Sequence, residues 1–105
     1  MTGAGPIVVD KFGGSVLRRP EDIAAAVRAV AAQRAAGQRP VVVVSAFEGV
    51  TDTILSAAAV LLPDGGRSLR ETHHAADSPL ARETDRALAT GEALSAALFA
   101  LGLQA

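Results

Sequence analysis

Lys11-Phe12-Gly13-Gly14-Ser15 is the stretch of this 105-residue sequence best equipped for chemistry. Apolar β-formers run into the lysine, and a helical pattern opens at Pro20. Strand, tight glycine turn and helix, in that order, aim backbone N–H groups at an anion. Lys11 adds a movable positive charge at the edge of that turn. Phosphate handling is the chemistry this arrangement favours. The competing reading is an ordinary strand-to-helix turn whose glycines only satisfy backbone geometry. A lysine at the end of a buried strand needs a partner for its ammonium. A phosphate is one such partner; Asp10, Glu48 or Asp52 is another.

The glycines do not form the G-x-x-x-x-G-K-[ST] phosphate loop, nor the G-x-G-x-x-G of a dinucleotide fold. Both of those classes are disfavoured. A second loop, Ser45-Ala46-Phe47-Glu48-Gly49-Val50-Thr51-Asp52, follows four consecutive valines. Ser45 is placed either to orient a substrate carboxylate or amine, or to satisfy a nearby backbone group. Thr51 reads as a helix cap or as a second substrate contact. Glu92 is the most informative residue of the second half. In an unbroken helix it falls between Leu88, Ser95 and Phe99, on the apolar side, where a bare carboxylate is costly. If Thr90-Gly91 begins a new helix, Glu92 is a first-turn acid at the positive end of the dipole. His73-His74 lacks the further ligands a metal site requires, and no metal-ligand set is read from the chain.

The elements that must position these groups follow from pattern. Ile7–Phe12 reads as a strand, continuous in Ile7, Val8 and Val9, which fits cover on both faces. A helix follows from Pro20, with Glu21 and Asp22 in its first turn, Ile23, Val27 and Val30 on its stripe, and Gly37 as its cap. Pro40 leads into a buried, parallel, central strand, Val41–Ala46. A helix starts near Thr51 or Asp52 with Ile54, Leu55, Ala58, Leu61 and Leu62 on its stripe, and Pro63-Asp64-Gly65-Gly66 stops it. Residues 63 to 79 read as a surface connection, with a short helix around Leu69. A helical segment returns from Leu80, and Thr90-Gly91 is its one candidate break. The path is a βαβ unit, expected to cross over right-handed. Ligands bind beyond the carboxyl ends of such strands, so the two loops should open on one edge of the sheet and converge.

Composition narrows the classes. Ten basic against 11 acidic side chains give a net charge of -1, so nothing points to nucleic acid or an anionic membrane. There is no cysteine, which excludes disulfides and thiolate zinc sites and suits a cytoplasmic protein. No signal peptide is read at the N-terminus, and no apolar stretch approaches the ~20 residues that span a bilayer.

Three motifs taken in order resemble the N-terminal part of an aspartate kinase, within the amino acid kinase family. They are Lys11-Phe12-Gly13-Gly14-Ser15, Val44-Ser45-Ala46 through Thr51-Asp52, and Gly91-Glu92-Ala93-Leu94-Ser95. The closing Gly102-Leu103-Gln104-Ala105 resembles the family's entry into a third strand. The resemblance implies a three-layer αβα fold with a mostly parallel sheet, of which residues 1–105 are an incomplete N-terminal portion. It implies transfer of the γ-phosphoryl group of ATP to the side-chain carboxylate of L-aspartate, with Mg²⁺ held mainly outside this chain. Lys11 would be catalytic, and Lys11, Gly13, Gly14 and Ser15 would hold phosphate. Ser45, Ala46, Thr51 and Glu92 would hold aspartate. The first loop departs from the family pattern, lacking the further Ser or Thr before Val16. An incomplete sheet exposes strand edges and apolar faces, so an oligomer, or a complex with the remaining part of the kinase, is expected. Catalysis by the 105 residues alone is not.

Overall fold

The computed structural model describes residues 5–67 and 78–105. Five elements follow one another: β1 (Ile7–Phe12), α1 (Glu21–Ala35), β2 (Arg39–Val44), α2 (Val50–Leu61) and α3 (Pro79–Gln104). The expected histidine pair and the short helix around Leu69 lie outside the described residues. β1 and β2 pair in parallel, Ile7 opposite Arg39 through Phe12 opposite Val44. The fold is α/β, built on the expected parallel βαβ unit.

β2 begins two residues earlier than the valine run suggests. The Arg39 N–H donates to the Pro6 carbonyl at 2.8 Å, which carries the ladder past Pro40. The strand also ends before Ser45, although the Ser45 N–H still donates to the Phe12 carbonyl at 3.1 Å.

The two faces of the sheet differ. Val8, Asp10, Phe12, Val42 and Val44 are half-buried beneath helices, while Ile7, Val9, Val41 and Val43 on the other face are 61, 66, 50 and 44% exposed. Continuous apolar strands require cover on both faces. The described helices supply it on one face only, which corrects the expectation of a doubly buried central strand. Period-2 alternation also separates Asp10 from Lys11. Asp10 faces the covered side and accepts a hydrogen bond from Gln33 Nε2 at 3.0 Å, while Lys11 emerges on the bare side.

The core sits between α1, α3 and the covered face. Ile23, Ala26 and Val30 of α1 meet Leu17, Phe47 and Phe99, with Phe12, Val27, Val42, Val44, Val50 and Leu98 packed around them. The rings of Phe12 and Phe99 lie 5.4 Å apart at a tilt of 36°, within the range favoured by aromatic quadrupoles. Pro20 caps α1 without a side-chain bond. The Asp22 carboxylate serves the preceding turn instead, accepting from the Arg18 and Arg19 N–H groups at 2.9 and 3.0 Å. α1 ends at Ala35 with Ala36 as its cap residue, and Gly37 takes the left-handed conformation just beyond it, as expected of a capping glycine.

α2 contributes only half-buried residues, among them Ile54, Leu55 and Ala58. Leu61, expected on its stripe, is 83% exposed. α3 runs unbroken for 26 residues through Thr90-Gly91, its start fixed by Ser78 Oγ accepting from the Ala81 N–H at 3.0 Å. An 18-residue stretch of it has a mean hydropathy of 1.3, enough by length and composition to cross a bilayer. That corrects the expectation that no stretch approaches this length. The same helix carries Arg82, Glu83, Asp85, Arg86 and Glu92 and packs along β2, α1 and α2.

Candidate functional site

The two loops and the middle of α3 meet at the carboxyl end of the sheet, and backbone geometry brings them together. In the first loop the Gly13 carbonyl accepts from the Val16 and Leu17 N–H groups at 3.0 and 2.9 Å. This closes a tight turn that buries Leu17 completely. The second loop locks onto that turn through the Glu48 N–H, which donates to the Leu17 carbonyl at 2.9 Å. Gly14 then faces the Ala46 carbonyl and the backbone of Glu48. Arg18 straps the outside: its Nε donates to the Ser15 carbonyl at 3.2 Å and lies 3.8 Å from Glu48 Oε2. Both side chains of that ion pair are well exposed, so it adds little stability.

α3 reaches the second loop through Gly91. A Cβ on Gly91 would stand 2.9 Å from Val50 Cγ1 and 3.0 Å from Ala46 Cβ. Only a residue without one lets the helix approach this closely. Gly91→Val is therefore expected to cost about 1–3 kcal/mol by overpacking, read as a lowered urea midpoint. Gly13→Ala, with open space around it, should stay within about 0.5 kcal/mol of the parent. Equal costs at the two sites would contradict this packing.

The glycines of the first loop answer to a different demand. The described glycines with positive φ are Gly37, Gly49, Gly65 and Gly66. Neither Gly13 nor Gly14 is among them, and neither is crowded: a Cβ on Gly13 meets nothing within 4 Å, and one on Gly14 makes ordinary contacts at 3.8 Å. The N–H groups of Gly13, Gly14 and Ser15 donate to no described residue. Backbone geometry does not call for these two glycines. A bare stretch of main chain open to close approach does.

Lys11 stands beside this stretch. It is exposed and makes no ion pair among the described residues. Its three sequence candidates are otherwise placed: Asp10 is on the opposite face, Glu48 pairs with Arg18, and Asp52 is exposed in the first turn of α2. Ser45 is half-buried, and its hydroxyl has only long contacts, 3.5 Å to the Phe12 carbonyl and 3.4 Å to that of Ala46. Thr51 does not cap its helix. Gly49, left-handed at φ 84°, is the cap residue, and the Thr51 hydroxyl is exposed with no described partner.

Glu92 fits neither alternative read from the sequence. The helix is continuous, so Glu92 is no first-turn acid, yet it is exposed. Gly91, Ser95 and Phe99 form the buried line, and the close approach at Gly91 turns that line, rather than Glu92, into the protein. Sequence reasoning missed the use of Asp22 to order the turn between Ser15 and α1; an acid two residues after a helix-opening proline was its only signal. The described residues contain no group of three acidic or histidine side chains able to hold a metal ion.

Residues 6–105 match the model of the amino acid kinase family. The chain is 34% identical over 98 residues to aspartokinase 2 of Bacillus subtilis and 36% identical over 98 residues to an aspartokinase of Corynebacterium glutamicum. Each alignment covers 93% of this chain, but only 21% and 20% of those relatives. The crystal structure of an aspartate kinase from Synechocystis superposes with a TM-score of 0.74 at 35% identity, over 93% of this chain and 14% of that one. The chain thus spans about a fifth of the length of the relatives it matches. On this match over nearly its whole length, the chain belongs to the amino acid kinase family.

Proposed function

We propose that this chain carries the phosphate loop and the aspartate-binding part of an ATP-dependent aspartate kinase. The reaction moves the γ-phosphoryl group of ATP to the side-chain carboxylate of L-aspartate, giving 4-phospho-L-aspartate and ADP. One observation carries the reading. Gly13 and Gly14 are required neither by φ nor by crowding, and among the described residues they leave, with Ser15, three successive N–H groups unused beside a Lys11 that makes no ion pair. Successive free amides and an ammonium suit an anion that gains charge density as it moves.

In this reading Gly13, Gly14 and Ser15 hold phosphate oxygens while Lys11 neutralises charge on the transferring group. Phosphoryl transfer depends mainly on positioning and electrostatics, which rigid loop closure through Leu17 and Glu48 provides. Ser45, Ala46 and Thr51 line the aspartate side, and Glu92 takes its ammonium. The exposure of Glu92 suits a group that meets a ligand rather than a core partner. Mg²⁺ would accompany ATP, but the described acids do not assemble a donor set for it. ATP and aspartate as substrates place the protein in cytoplasmic amino-acid biosynthesis.

The test is hydroxamate formation from aspartate, ATP, Mg²⁺ and hydroxylamine, with the chain assayed alone and together with a polypeptide carrying the remaining four-fifths of an aspartokinase. Product in the second mixture, lost with Glu92→Gln for aspartate but not for ATP binding, is the expected result. No hydroxamate in either mixture overturns the reading. A second reading is a non-catalytic binding subunit. It predicts ATP or aspartate binding without hydroxamate in any mixture.

A further inference from the structure

Arg18 borders the first loop and has no part in the proposed chemistry, yet its backbone is fixed on both sides. The peptide unit between Leu17 and Arg18 is pinned at each end. The Leu17 carbonyl accepts from the Glu48 N–H at 2.9 Å, and the Arg18 N–H donates to Asp22 Oδ2 at 2.9 Å. Leu17, completely buried, anchors the same point in the core. From this base the side chain turns back toward the loop, and its Nε donates to the Ser15 carbonyl at 3.2 Å. That carbonyl belongs to the peptide unit whose other end, the Val16 N–H, donates to the Gly13 carbonyl at 3.0 Å. Arg18 thus secures the second end of a peptide that the turn itself holds only at the first.

The turn has little else to hold it. Gly13 and Gly14 carry no side chains, and Ser15 and Val16 are exposed. A glycine turn without side-chain packing has wide conformational freedom, whereas donors act on developing charge only when they are preorganised. Contact with Glu48 is not what holds Arg18 in place. Glu48 Oε2 lies 3.8 Å from Nε, and both side chains are exposed; that separation is beyond hydrogen-bond length. The working contact of Arg18 is the hydrogen bond to Ser15.

We propose that Arg18 is a positioning residue: its Nε–H fixes the Ser15–Val16 peptide and so holds the Gly13, Gly14 and Ser15 amides in the geometry that receives a phosphate. The hydrogen bond does this, and the positive charge is secondary. The proposal rests on the phosphate reading of the loop and adds to it a residue from outside the row of free amides.

Arg18→Gln separates hydrogen bond from charge, because glutamine places an amide nitrogen as many bonds from Cα as Nε, without the cation. Two readouts are taken on the ¹⁵N-labelled chain: ATP affinity, followed at the Gly13 and Gly14 amides, and hydrogen exchange of the Val16 amide without ATP. Arg18→Ala is expected to weaken ATP binding by about 3- to 10-fold and to speed Val16 exchange by a similar factor, the equivalent of one intramolecular hydrogen bond. Arg18→Gln should recover most of both losses. Glu48→Gln breaks the ion pair, and Arg19→Ala removes a positive charge from the same turn, where Arg19 meets only Glu21 at 3.8 Å. Both should leave ATP binding within about twofold of the parent, as exposed charges do. Three results overturn the proposal: Val16 exchange unchanged in Arg18→Ala, Arg18→Gln as impaired as Arg18→Ala in both readouts, or an equal loss of ATP binding in Arg19→Ala, which would make charge the cause. A parent chain that binds no ATP overturns the phosphate reading instead, and the Val16 exchange rates then still decide whether Arg18 holds the turn.

Discussion

Phe99→Ala is expected to lower stability by about 3–5 kcal/mol, the range for removing a buried aromatic side chain from a packed core. Phe99 is 3% exposed and joins α3 to both the α1 cluster and the ring of Phe12. Its loss opens a cavity between helix and sheet that Ala96 and Ala100 are too small to fill. It also removes a ring–ring contact worth about 0.5–1.5 kcal/mol beyond burial. A domain of this size is stable by about 5–15 kcal/mol, and one with a bare sheet face belongs at the low end. The variant should therefore lose most of its cooperative transition in urea. Leu101→Ala is the control. Leu101 is 64% exposed, so the same truncation there should stay within about 0.5 kcal/mol of the parent. Similar losses at both positions would show that α3 is not held to the sheet through Phe99.

The bare surfaces explain where the sequence read well and where it did not. β1, α1 and β2 were legible because each is one turn of a local pattern: an apolar run, a proline-opened amphipathic stretch, a second apolar run. Their parallel pairing followed from the helix between them. The error lay in cover. Val41 and Val43 are as apolar as Val42 and Val44, and composition cannot tell which face the described helices will occupy. Leu61 failed for the same reason: it is apolar, but the half-buried side of α2 is Val50, Ile54, Leu55, Ala58 and Ala59.

At the site, residue types were legible and orientation was not. Lys11, Gly13, Gly14 and Ser45 stand at the strand ends where an α/β fold puts its ligands. The position of Glu92 depended on Gly91, whose role is visible only once Val50 and Ala46 are seen against it. A wheel treats Gly91 as one small residue among many; in the fold it sets which side of α3 turns inward. The use of Thr51 likewise changed when Gly49 took the cap. The Thr51 hydroxyl does no capping and is exposed, as the substrate contact proposed for it requires.

Under the proposed function, Lys11→Ala is expected to give the largest functional effect, and the structure separates it from a stability effect. The side chain is exposed on the bare face and holds no described ion pair, so its removal should leave the urea midpoint within about 0.5 kcal/mol of the parent. Binding of ATP should weaken by roughly 10- to 100-fold, the equivalent of about 1.5–3 kcal/mol for a charged hydrogen bond. The Gly13 and Gly14 amides report it by NMR without any need for turnover. Where hydroxamate forms with the complementary polypeptide, the rate should fall a further ~100- to 1,000-fold, as when one preorganised donor to a developing charge is lost. Lys11→Arg keeps the charge but not the compact ammonium, and should recover ATP binding better than it recovers rate. A Lys11→Ala chain that binds ATP as tightly as the parent would leave the three free amides as the whole phosphate site. One that unfolds would show that Lys11 has a structural partner outside the described residues.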